Sequence, residues 1–190
     1  MAAERLGHAD ATLFSNLYSH VTPTMQREHR ADWGCPASPG YRPSMIELAF
    51  ERTIPASPAE VFTRLADLVG YEDWLSGDST SSGCTLTSPG TVGRGSTYLD
   101  RTKMGTMVGE ITEHDPPALL EFRQRLTRYG IPVFEATQTN ELSACDGGTL
   151  LRHRFTATTF GPFRLMERVA AKQAIAERER VLGALHQSFV

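Results

Sequence analysis

The chain has 190 residues and 20.9 kDa, with 40% hydrophobic and 22% charged side chains, enough for one domain with a real core and an internal cavity and no need of disulfide or metal staples. Nineteen basic against twenty-two acidic residues leave a formal charge of −3 without a cationic block, so nucleic acid is not expected as a partner. Cys35, Cys84 and Cys145 have no metal-ligand spacing, no apolar run approaches the ~20 residues of a membrane span, and the N-terminus has no apolar signal core. The expectation is a cytoplasmic protein with reduced thiols and no membrane span.

Residues 1–43 read as an N-terminal extension. Leu13, Phe14, Leu17 and Val21 recur at helical spacing behind Asp10, which predicts a short amphipathic helix over about 11–20. The Pro- and Gly-rich run from Trp33 to Pro43 reads as a linker. Such an extension is either a mobile tail or an arm that docks on the domain or on the second subunit of a homodimer.

The domain spans 44–190 and begins with a strand, because Ile46, Leu48 and Phe50 alternate with polar or small residues. Ser57-Pro58-Ala59-Glu60 supplies a cap, a proline at the first helical position and a carboxylate three residues on, opening a helix through Val61, Phe62, Leu65 and Leu68. A second short helix runs through Tyr71 to Leu75 and ends near Gly77. From about 80 to 160 the pattern gives six strands, with turns at Pro89-Gly90, Asp115-Pro116-Pro117, Gly130-Ile131-Pro132 and Asp146-Gly147-Gly148. Beyond Gly161-Pro162, the spacing of Met166, Ala170, Gln173, Ala174, Glu177, Val181, Leu185 and Ser188 predicts a closing helix over about 163–188, with Ala170, Ala174, Val181 and Leu185 inward. The expected architecture is α+β: a seven-stranded antiparallel sheet wrapped around the long C-terminal helix, since each has one apolar face and no other partner.

This order resembles a family. The segments Ile54-Pro55-Ala56-Ser57-Pro58-Ala59-Glu60-Val61-Phe62, Leu65-Ala66-Asp67, Tyr71-Glu72-Asp73-Trp74, Val92-Gly93-Arg94-Gly95-Ser96, Glu113-His114-Asp115-Pro116-Pro117 and Gly148-Thr149-Leu150-Leu151 look like the START-like, Bet v 1-like (SRPBCC) superfamily, in particular its polyketide cyclase/dehydrase and lipid-transport branch. The resemblance covers 45–190 and implies a helix-grip fold with a cavity between sheet and long helix. It also implies either an aromatase/cyclase or a binder of hydrophobic ligands.

Residues two apart on a strand share a face, so the apolar parity names the lining. It gives Leu120, Phe122, Gln124 and Leu126 on one strand, with Arg128 on the same parity, then Phe134, Ala136, Gln138, Asn140 and Leu142, and Leu151, His153, Phe155 and Ala157 on the last. Tyr98 and Asp100 join from an earlier strand, and Gly105 and Gly109 beside Met107 and Ile111 leave room. Trp74, in the helical region of the resemblance, is a further ligand contact, with packing over the sheet as its structural alternative.

An unpaired buried amide or carboxyl costs about 1–3 kcal/mol, so polar residues recurring on inward faces need partners, water or a ligand. Gln124, Gln138 and Asn140 can bond one another, and His153 can be a satisfied core histidine; as a set they fit a mainly apolar small-molecule site. His153 is the inward group whose ordinary pKa lies near neutrality, which makes it the candidate acid/base, with Tyr98 or Asp100 as its partner. Nucleophile-elbow, phosphate-loop, dinucleotide and HExxH motifs are missing, so neither a cofactor nor a metal is expected. The chain therefore reads as a cofactor-independent cyclase or dehydratase acting on a polyketide-type or aromatic molecule, or as a non-catalytic carrier of a lipid, quinone or aromatic metabolite.

Overall fold

The computed structural model describes residues 44–75, 81–103, 105–128, 131–160 and 167–190; the predicted helix at 11–20 and the linker lie outside them. Strand β1 (Ser44–Ile54) leads into helix α1 (Pro58–Ala66) and the single-turn helix α2 (Tyr71–Trp74). Six strands follow: β2 (Ser81–Leu86), β3 (Thr97–Thr102), β4 (Gly105–Asp115), β5 (Leu119–Arg128), β6 (Ile131–Cys145) and β7 (Gly148–Thr159). Helix α3 (Glu167–Gln187) closes the chain. All seven strands form one antiparallel sheet in the order β1-β7-β6-β5-β4-β3-β2, so β2 to β7 are a meander and β1 returns to pair with the last strand.

Local chemistry accounts for the element ends. Ser57 and Glu60 form the reciprocal capping box: the Glu60 amide donates to Ser57 Oγ at 3.4 Å, and the Ser57 amide donates to Glu60 Oε2 at 2.9 Å. These bonds hold the Glu60 carboxyl below its ordinary pKa. Replacing Ser57 by Ala is expected to lose about 1 kcal/mol of unfolding free energy in urea denaturation, the usual worth of such a cap. Helix α1 ends earlier than the apolar pattern suggests, because Asp67 caps it and its Oδ1 accepts the Gly70 amide at 3.0 Å; Leu68 is buried from outside the helix. Ile131 and Pro132, expected in a turn, belong to β6 instead, where they pair with Arg128 and Thr127 across a shift of register.

The core lies between the sheet and the helices. Ile54, Ile111, Leu120, Leu142 and Leu151 of the sheet pack with Val61, Phe62 and Leu65 of α1 and with Leu182 and Leu185 of α3. Ile46, Leu48, Ala136, Phe155 and Ala157 pack against Ala170, Ala171, Ala174 and Ile175 of α3. The long helix therefore covers the face that strand parity marks as inward. Its stripe differs in detail: Val169 and Leu182 are buried, and Gln173 is exposed. Met166 precedes the described part of the helix.

Candidate functional site

Register builds the site row by row. Tyr98 on β3, Gly109 on β4, Gln124 on β5, Ala136 on β6 and Ala157 on β7 stand opposite one another across the sheet. A Cβ on Gly109 would lie 2.2 Å from Cζ of Tyr98, so only glycine lets the phenol ring lie across β4. The room expected beside Gly109 is thus filled by Tyr98, whose side chain reaches Gln124 and hydrogen-bonds it. Burial pushes the Tyr98 phenol well above its ordinary pKa, so it keeps its proton.

From Gln124 a chain of amides crosses the inner face. Gln124 Nε2 donates to Asp100 Oδ2 at 3.1 Å, Gln138 Nε2 donates to Gln124 Oε1 at 2.9 Å, and Arg178 Nη1 on α3 donates to Gln138 Oε1. The two ends dictate the direction. A carboxylate only accepts and a guanidinium only donates, so both glutamines must point their NH₂ groups toward Asp100 and their oxygens toward Arg178. The guanidinium also sits over the Phe155 ring, 5.3 Å from its centroid. Burial lowers the Arg178 pKa, while the negative charges of Glu177 and Asp100 oppose that shift. Its Nε is shut off from solvent without a hydrogen-bond partner among the described residues.

A second pair lies one row on. Asn140 Nδ2 donates to the Leu120 carbonyl at 3.3 Å, which turns Asn140 Oδ1 toward His153 Nδ1 at 2.8 Å. His153 Nδ1 must then carry the proton, leaving Nε2 as a bare acceptor, and that atom is buried without a partner. Burial, reinforced by the positive Arg178, lowers the His153 pKa to about 3. The titration near neutrality expected from the residue type alone is therefore displaced far into the acid range. His153 pairs with Asn140, whereas Asp100 and Tyr98 are joined to Gln124, at the other end of the amide chain.

The remaining expected contacts divide by place. Phe122, Leu126, Met107 and Phe155 are buried; Phe134 is half-buried against Met107, Leu126 and Val133. Arg128 ends β5 just past a register shift, and its side chain lies outside the described residues. Trp74 is half-buried, with its ring 5.0 Å from that of Tyr71, whose hydroxyl donates to the Leu65 carbonyl at 2.6 Å. Burial raises the Tyr71 phenol, and raises the Cys84 thiol to about 12, which leaves that cysteine protonated and a poor nucleophile. Sequence reasoning missed Arg178. The signal was present, since Ala174, Arg178, Leu182 and Leu185 recur at four, four and three, but a cation in that stripe is easily assigned to solvent.

Among the described residues, no group of three or more His, Cys, Asp or Glu side chains could hold a metal ion, and no helix is long and apolar enough to cross a membrane. Residues 45–189 match the family described as polyketide cyclase / dehydrase and lipid transport. The chain belongs to this family. Its fold, a sheet gripping a long C-terminal helix, is the START-like, Bet v 1-like one. It is similar to a hypothetical protein, jhp0584, from Helicobacter pylori (13% identity, 87% of this chain and 99% of that one, TM-score 0.61). The Mll3558 protein from Rhizobium loti is similar at 20% identity over 77% and 99% of the two chains, with a TM-score of 0.57. Ara h 8.0201 is similar at 16% identity over 77% and 98%, also with a TM-score of 0.57. No curated protein matches the chain. At these identities the likeness concerns the fold, and function has to be argued from the side chains.

Proposed function

We propose that this member of the family holds a polyketide-type or aromatic hydrophobic molecule between the sheet and α3 and acts on it as a cofactor-independent cyclase. The observation that carries the reading is the presence, on the inner side of the sheet, of a guanidinium with an unused donor and an imidazole with an unused acceptor. Aldol closure of a polyketone needs both. His153 Nε2 takes a proton from a CH₂ between two carbonyls, and the C–H electron pair moves to an enolate oxygen that the positive charge of Arg178 stabilises. The enolate carbon attacks a second carbonyl carbon and closes the ring, the carbonyl oxygen taking the proton back from the imidazolium; loss of that hydroxyl as water with a neighbouring proton then forms a ring double bond. The low pKa of the free imidazole is partly compensated in this step, because the forming enolate is a negative charge beside it. Tyr98, still protonated, and Asp100 are the other proton-exchanging groups, at the far end of the amide chain from His153, while Phe122, Gln124, Leu126, Phe134, Gln138, Asn140, Phe155 and Met107 would surround the ligand, with Trp74 and, by its parity on β5, Arg128 as further contacts.

A carrier is the second reading, favoured by one specific feature: the amides of Gln124, Gln138 and Asn140 already satisfy one another, their neighbours and the backbone. Incubation with a short poly-β-ketone, followed by the absorbance of the aromatic product, separates the two. With the cyclase, His153→Gln is expected to cut product formation by more than about tenfold while affinity for a planar polyphenol changes little, because the lost interaction acts mainly in the transition state. Turnover untouched by His153→Gln, Tyr98→Phe and Asp100→Asn singly would leave the carrier as the better account.

A further inference from the structure

The chain from Asp100 to Arg178 carries charge as well as hydrogen bonds. A carboxylate stands at its β3 end and a guanidinium at its α3 end, with the Gln124 and Gln138 amides between them. Asp100 is near enough for its charge to act on Arg178, in the direction that keeps the guanidinium ionised. The amides bring dipoles but no net charge, so the assembly is an ion pair bridged by two side chains and is neutral as a whole. Neighbouring ionisable groups keep that balance. Glu177 and Arg180 on α3 pair with each other at 2.9 Å. Burial raises Tyr71, Tyr98 and Cys84, which keep their protons, and His153 is neutral at pH 7.

This balance bears on what the interior accepts. An anion entering beside the pair is attracted by Arg178 and repelled by Asp100, and it gives up its hydration without a counter-ion of its own. An uncharged oxygen gives up far less. His153 Nε2, the unmatched acceptor on the inner side, points the same way, because a carboxylate has no hydrogen to give it whereas an enol or a phenol does. An enolate formed on a bound ketone is a different case, since its charge arises only after the uncharged molecule has entered.

We propose that the interior site selects uncharged ligands (ketones, enols, phenols or quinones) and rejects carboxylic acids of the same size, because the Asp100 carboxylate already balances Arg178. The proposal rests on the reading of an interior ligand and applies to a cyclase and a carrier alike.

Titration calorimetry of the full chain at pH 7 with 1-naphthamide and 1-naphthoate tests it, since the two probes share ring and size and differ in charge. The native protein should bind naphthamide at least about tenfold more tightly than naphthoate. Asp100→Asn keeps an oxygen for Gln124 Nε2, and the direction of the amides is still dictated by Arg178, but the negative charge is gone. The ratio of naphthoate to naphthamide affinity should then rise about tenfold or more. Native protein that favours naphthoate would overturn the proposal without any variant having to fold. An unchanged ratio in Asp100→Asn would overturn it too, because the discrimination would not come from Asp100. Saturable binding of neither probe would strike the interior-ligand reading itself and the proposal with it, which keeps the two failures apart.

Discussion

Between pH 7 and pH 4 the folded chain is expected to lose about 3 kcal/mol of stability through His153 alone, and His153→Gln is expected to abolish that part of the loss. The sign follows from where protons bind. In the unfolded chain the imidazole titrates near its ordinary value of about 6.5, whereas in the folded chain burial and the Arg178 charge depress it to about 3. Between those values the unfolded state holds one proton more than the folded state, so stability falls as the pH drops through the window and levels off below about 3. Carboxylates add their own acid dependence, which is why the comparison must be with His153→Gln, a side chain of similar reach that can still donate to Asn140 Oδ1. Urea denaturation of both proteins at pH 7 and pH 4 checks it. Parallel losses would mean that His153 is not a neutral buried group, and the bare acceptor at Nε2 would go with it. The protonation state of His153 bears on function as well, since a protonated His153 beside Arg178 would place two cations where the enolate reading requires a base.

The fold was readable because each element carried its own period. Alternation on Ile46, Leu48 and Phe50, the Ser57–Glu60 box and the turn residues between strands are local signals, and local signals survive into the structure. Parity also named the inner face: Leu120, Phe122, Gln124, Leu126, Asn140, His153 and Phe155 are all buried. What parity cannot supply is which polar groups meet. The direction of the amide chain depends on Arg178, forty residues along the chain from the Gln138 it bonds, and on a helix whose apolar stripe is too rich in alanine to reveal its facing. The environment of His153 shows the same limit. Its residue type points to titration near neutrality, but its pKa is set by burial and by a charge on another element.

Gly109→Ala is expected to cost about 2–3 kcal/mol or more, although the change is one methyl group on a strand where alanine is normally no worse than glycine. The added Cβ would lie 2.2, 2.4 and 2.6 Å from Cζ, Cε2 and Cε1 of Tyr98, and the ring is 2% exposed, with no open side to move toward. Its edge meets Phe122, 6.3 Å between centroids, and its hydroxyl is tied to Gln124, so displacing the ring strains packing and the polar chain together. The backbone of Gly109 contributes nothing to the cost, since it lies outside the left-handed region that favours glycine. The clash should therefore be removable from the other side. Tyr98→Val alone should be destabilising by about 3 kcal/mol through the cavity it leaves, but in that background Gly109→Ala should cost less than about 1 kcal/mol, since the methyl then occupies vacated space. Urea denaturation of the two single variants and the double variant gives the coupling energy directly. Costs that simply add would show that the ring and the glycine are not in contact, and that Tyr98 reaches Gln124 by some route other than across β4.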